Sequence, residues 1–212
     1  MRARVLAVVL MAVLGGCNIV APIFFLVHGP EKIPAAHKLE KARPTLVLID
    51  DPASVVSRRQ LRAEMGERLD KVLLEKVGLR EVIDSRAAMS VLTKDRVSEP
   101  MSIAEVGRSL GAEVVIWVGI DAFTLSPDSQ SYAPASRFRV KVIDATTGKR
   151  VWPEDPKGHP VSLDIPTRTK ELPASTTAVI EAERRLAHQS GEAVARLFYD
   201  HERVRNIQVK DE

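Results

Sequence analysis

Two adjacent carboxylates close the first apolar run past the amino-terminal region, where Thr45-Leu46-Val47-Leu48-Ile49 runs into Asp50-Asp51-Pro52. In open α/β sheets ligands collect at the carboxyl ends of strands, and carboxylate oxygens there suit a hard divalent cation. Asp84 ends a second short run, Glu81-Val82-Ile83. If the two strands are neighbours, Asp50, Asp51 and Asp84 form a candidate metal or ligand site. Asp-Asp-Pro is equally the chemistry of a plain turn. A metal-dependent hydrolase would also need a base or nucleophile, and no such pattern accompanies these residues. The chain has no Gly-x-x-x-x-Gly-Lys-Ser/Thr, no His-Glu-x-x-His and no paired Cys-x-x-Cys, and His28, His37, His159, His188 and His201 stand singly. Phosphate-loop and common zinc chemistry therefore have no motif, and no cofactor is implied.

The single cysteine has a different chemistry. Arg2 and Arg4 precede the apolar run Val5 to Leu14, and Leu14-Gly15-Gly16-Cys17 follows. This is the layout of a signal peptide and resembles a bacterial lipobox, in which the cysteine thiol takes a diacylglycerol and becomes the first residue after cleavage. A lone cysteine cannot form an internal disulfide. Residues 1–16 then read as a signal peptide, and Cys17 as the lipidated start of a membrane-tethered chain. A rival reading keeps the segment whole, because Val5 to Val27 is 23 positions without a formal charge and a spanning helix needs about 20. Gly15, Gly16, Asn18 and Pro22 crowd the middle of that span. Both readings hold the amino end in the cytoplasm and place the rest beyond the inner membrane. Asn18 replaces the aspartate of the familiar inner-membrane retention signal, which by resemblance favours the outer membrane.

A third group is the row Arg137, Arg139 and Lys141, which alternates within Arg137-Phe138-Arg139-Val140-Lys141-Val142-Ile143-Asp144 and so falls on one face of a strand. Such a row is either a solvated sheet face or an interface for a protein partner. It is not a nucleic-acid site. Removing residues 1–16 takes two of the 31 Lys and Arg and none of the 28 acids, leaving 29 against 28 with the signs interleaved, where phosphate binding needs clustered cations. Aromatics are 4% of the chain, so stacking platforms are scarce.

Several elements must position these residues. The stretch 29–44 holds three prolines together with Lys32, Lys38, Lys41 and Arg43, and reads with Cys17 as a tether over 17–44. Thr45–Ile49 is a strand buried on both faces. Ser57-Arg58-Arg59-Gln60 is a capping-box pattern before the stripe Leu61, Met65, Leu69, Val72, Leu73 and Val77, which predicts a helix stopped by Gly78. Ser85 is placed to cap a brief helix to Leu92. Ser102-Ile103-Ala104-Glu105 repeats the capping box before a helix ending at Gly111, and Ala112–Ile120 is the most apolar strand. The polar, proline-broken stretch 124–136 predicts a surface loop. Gly148 marks a hairpin turn between 137–144 and a return strand at Arg150-Val151-Trp152. Val161–Ile165 alternates again, and Ser175 to Tyr199 predicts one long helix.

Ile103-Ala104-Glu105-Val106-Gly107-Arg108-Ser109-Leu110-Gly111-Ala112 with the strand to Gly119, and Val140-Lys141-Val142-Ile143-Asp144-Ala145-Thr146-Thr147-Gly148-Lys149-Arg150-Val151-Trp152, resemble a group of envelope lipoproteins. That group includes the curli secretion lipoprotein, the outer-membrane activators of penicillin-binding proteins and the amino-terminal domain of the Tol-system propeller protein. The resemblance covers roughly residues 45–155. It implies a small mixed-sheet α/β domain used for docking to proteins, without catalysis. The expectation is thus an α/β fold with a mixed sheet of about four to five strands, in two or three layers, with βαβ units, then an antiparallel hairpin and a long C-terminal helix, in one domain over 45–200 with a tail over 201–212. The function expected is a non-catalytic, lipid-anchored accessory or docking protein of the envelope, on the periplasmic face of the outer membrane rather than the inner. The alternatives are the metal-dependent hydrolase and a lipoprotein that binds a small molecule or glycan through the strand-end carboxylates.

Overall fold

Where apolar residues run continuously the chain forms strands covered on both faces, and where they alternate it forms strands covered on one. The computed structural model describes residues 32–95 and 101–202. The larger of two units holds residues 35–199 and the smaller holds the short strands β1 (Lys32–Ile33) and β8 (His201–Glu202), antiparallel with Lys32 opposite Glu202. Signal peptide, Cys17 and the apolar segment to Val27 lie outside the described residues. Among the described residues no helix is long and apolar enough to cross a membrane.

In the larger unit six strands form one mixed sheet: β2 (Thr45–Asp50), β3 (Val82–Ile83), β4 (Val114–Thr124), β5 (Ala135–Asp144), β6 (Arg150–Trp152) and β7 (His159–Asp164). The order is β3-β2-β4-β5-β6, with β7 also paired to β5. β3, β2 and β4 are parallel, and β5 runs antiparallel to β4, β6 and β7. The α/β class, the βαβ units, the hairpin and the long last helix are as expected. The sheet has one strand more than expected, because β6 and β7 both pair with the ten-residue β5.

The helices are α1 (Arg59–Val72, continued by a π turn over Leu73–Val77), α2 (Ser85–Asp95), α3 (Ile103–Ser109) and α4 (Thr176–Ala195, continued by a 3-10 turn over Arg196–Phe198). α1 and α4 pack on one face of the sheet. There Leu61, Met65, Leu69, Leu186 and Val194 meet Val47, Ile49, Ile116, Val118, Phe138, Val140, Val161 and Leu163. Each such aliphatic side chain contributes about 1.5–3 kcal/mol on full burial. The opposite face is covered only in part. Ala88 of α2 and Val106 of α3 pack on Leu46, Leu48 and Val115, so the parallel half has three layers and the antiparallel half two.

Two helix starts differ from the sequence reading. The capping box at Ser57 does not form: Arg58 is the N-cap of α1 without a side-chain bond. Ser57 Oγ instead donates to Glu183 Oε1 of α4 at 2.9 Å, and Arg58 pairs with the same carboxylate. A tertiary acceptor has displaced the local one. Ser85 is not the cap of α2 but its buried first residue, and Asp84 Oδ1 accepts the Arg86 N–H at 2.9 Å. The box at Ser102 and Glu105 does form, with both reciprocal bonds present.

Residues 35–44 of the expected tether are held on the larger unit. His37 N–H donates to Leu197 O at 3.0 Å, and its ring stacks on Trp152 at 5.5 Å between centroids. Burial lowers the His37 pKa. Leu39 packs against the main core. Arg43 Nη2 bonds Asp144 Oδ2 at 2.8 Å and its Nε bonds Glu113 Oε2 at 3.0 Å. Prolines and cations gave this stretch the composition of a linker, while His37, Leu39 and Arg43 find partners that are remote in sequence.

Candidate functional site

The antiparallel half of the sheet leaves one face without a full helical cover, and the basic row lies there. β5 alternates as expected, with Arg137, Arg139 and Lys141 half-buried between the buried Phe138, Val140 and Val142. Each cation has a partner from another element. Arg137 Nη2 reaches both oxygens of Asp164 on β7 at 2.8 and 3.1 Å, while its Nη1 donates to the Ser136 and Leu163 carbonyls at 2.9 and 3.2 Å. Arg139 Nε donates to Asp121 Oδ2 at 3.1 Å. Asp121 sits at a register shift, since Ile120 faces Phe138 and Ala122 faces Arg137. The bulge is what turns this carboxylate toward Arg139.

Lys141 lies opposite Trp117, with Nζ 4.7 Å from the ring centroid. The indole Nε1 donates to Asp50 Oδ2 at 3.1 Å. Its benzo ring fills the space that a Cβ at Gly119 would occupy, so Gly119 lets the tryptophan lie against the strand. Lys141 thus sits over the ring while Gly119 makes room for its benzo end. Beside it Asp121, Arg137, Arg139, Ser162 and Asp164 line an open cleft of about 420 Å³. The face is therefore a mosaic in which three cations meet Asp164, Asp121 and the Trp117–Asp50 pair.

The three candidate carboxylates are not brought together. Asp51 is buried, and its two oxygens accept the N–H groups of Val55 and Val56 at 2.9 and 3.1 Å, closing the turn after β2. Asp50 holds Trp117. Thr45 faces Val82 and Leu46 faces Ile83, so Asp84 comes level with Val47, three residues or about 10 Å short of Asp50. It lies just before α2 and pairs with Arg86 at 3.3 Å. Among the described residues no group of three or more His, Cys, Asp or Glu side chains is placed to hold a metal ion.

The stretch 124–136 is a loop from 125 to 134 between β4 and β5. Asp128 accepts the N–H groups of Gln130 and Ser131 at 2.9 and 2.8 Å and the Ser131 hydroxyl at 2.6 Å, which hold its pKa well below the usual carboxylate range. Tyr132 N–H donates to Lys170 O at 2.8 Å and Thr167 Oγ1 donates to Tyr132 O at 2.9 Å, which ties this loop to the one before α4. Trp117, Asp121 and Asp164 escaped the sequence reading. The available signal was weak: Asp121 and Asp164 are acids within apolar, strand-like runs, but nothing local says which cation each will meet.

No family model matches the sequence, and no curated protein sequence matches it. Among solved structures the chain is similar to the PelC dodecamer from Paraburkholderia phytofirmans, at 13% identity over 80% of this chain and 96% of that one, with a TM-score of 0.41. It is similar to lipoprotein GNA1162 from Neisseria meningitidis at 11% identity, over 70% of this chain and 98% of that one, with a TM-score of 0.42. It is also similar to the LpoB C-terminal domain from Salmonella enterica at 14% identity, over 61% of this chain and 86% of that one, with a TM-score of 0.35.

Proposed function

We propose that this chain is a lipid-anchored, non-catalytic docking protein of the bacterial envelope, tethered through Cys17 to the periplasmic face of the outer membrane, that presents the open half of its sheet to another envelope protein. The observation that carries the reading is the half-covered sheet. Two helices cover one face, while the other leaves a mixed-charge surface around Trp117, Arg139 and Asp121. The sheet edges are poor docking sites by comparison. β3 has two residues, β6 has three, and β7 carries Pro160. Short and proline-bearing edges resist strand addition, so a partner meets the face.

The anchor is tested by lipid labelling, which Cys17→Ala should abolish with accumulation of the precursor. Equal labelling of the Cys17→Ala chain refutes the anchor. The face is tested by a photo-crosslinking residue at Ser162 in intact cells. Arg139→Glu with Lys141→Glu should remove one captured envelope protein while the domain stays folded. Arg137 is left in place because it joins β5 to β7. Capture unchanged by these reversals overturns docking through this face.

A further inference from the structure

The seam between α1 and α2 holds a carboxylate in an unfavourable place. Asp70 of α1 accepts the Ser85 N–H, at the start of α2, on Oδ2 at 3.0 Å. Its other oxygen and Ser85 Oγ are both buried at this seam. The approach is close because residue 66 is glycine: a Cβ there would collide with Ser85 Oγ. The charged groups facing Asp70 are Glu67 from α1, Asp84 from the turn before α2, and Arg86 from α2. Arg86 is already shared between Glu67 at 3.1 Å and Asp84 at 3.3 Å. An ionised Asp70 would thus be a desolvated anion beside two others.

Of residues 85–91 of α2 only Ser85 and Ala88 are buried, and its polar contacts with α1 include the Arg86–Glu67 pair and a bond from Arg59 Nη2 to Met89 O at 3.2 Å. We infer that α2 is a pH-sensitive flap, seated on the sheet while Asp70 carries a proton and loosened when Asp70 ionises. Protonation removes the charge from a carboxyl group that burial keeps from water. Opening lets Asp70 ionise in water, so the open form gains as pH rises.

The region uncovered contains Leu46 and Leu48, on the same sheet face as Trp117. Resting on the docking reading, the flap enlarges the docking face with apolar surface at neutral pH and shrinks it in acid.

The pKa of Asp70 is pushed up to about 7 by burial, against the lowering effect of the Ser85 N–H and hydroxyl, with Asp84 and Glu67 adding to the rise. Each pH unit between its open-state value near 4 and this value is a tenfold change in the closing equilibrium. Hydrogen exchange on the full chain should show the protection factors of α2 amides falling by about 100-fold from pH 5 to pH 8, with β4 amides changing less. Asp70→Asn should make α2 protection independent of pH. In the unaltered chain the Asp70 carboxyl carbon, followed by NMR, should titrate near 7. Flat α2 protection in the unaltered chain, pH dependence retained by Asp70→Asn, or titration near 4 overturns the flap. None of these readouts involves a partner, so the flap fails independently of docking at the Arg139 face.

Discussion

Gly191→Ala should destabilise the domain although alanine is the better helix former. Gly191 lies inside α4 where it crosses α1, and a Cβ built on it would sit 2.6 Å from Met65 O, 3.2 Å from Arg68 Cβ and 3.3 Å from Leu69 N. The nearest neighbour is a backbone carbonyl of an intact helix and cannot rotate away. Relief needs the helices to part by most of an ångström, which loosens Leu69, Leu186 and Val194 in the main core. Overpacking of this kind costs about 1–3 kcal/mol, and a backbone collision belongs at the upper end. The gain in helix propensity from Gly to Ala offsets about 1 kcal/mol. The net loss is about 2 kcal/mol, or a urea midpoint lower by about 1 M for a domain of this size. Gly111→Ala is the contrast. Gly111 has φ of +81° and nothing within 4 Å of a Cβ, so its loss is backbone strain alone and Gly111→Asn should recover part of it. A Gly191→Ala chain as stable as the original, or more stable, would refute the close-crossing argument.

Asp144 is held down to about 2, first by the Thr147 N–H and then by the Arg43 guanidinium. A lowered carboxylate pKa contributes stability above its unfolded value near 4 that is lost as pH falls toward 2. Arg43→Ala should raise the Asp144 midpoint in a carboxyl NMR titration, and an unchanged midpoint would show that the Thr147 turn acts alone. Arg137 and Asp164 are both half-exposed, so a double-mutant cycle with Arg137→Met and Asp164→Asn should give a coupling of about 1 kcal/mol or less in urea unfolding. A coupling of several kcal/mol would mean that the pair is far drier than its exposure indicates.

Much of the architecture was legible because it rests on local patterns. The run Thr45–Ile49, the stripe from Leu61 to Val77, the box at Ser102 and Glu105 and the alternation through Arg137–Asp144 each carry their own period or cap, and each appears as an element. The sheet gained a strand beyond expectation since β6 and β7 share one partner, which no local period announces.

Sequence by itself determined which face of β5 would bear Arg137, Arg139 and Lys141, since side chains alternate along any strand. Only the tertiary structure decided what those cations meet, because Asp164 and Asp121 lie 27 and 18 residues away and reach them through strand pairing and a bulge. The same limit separates Asp50 from Asp84: that both end strands was readable, but parallel register sets them apart. It also accounts for Asp70, unremarkable on the polar side of a helical stripe until Gly66 lets Ser85 close over it. Periodicity is a property of a few neighbouring residues, whereas partners, register and desolvation belong to segments that meet only when the chain has folded.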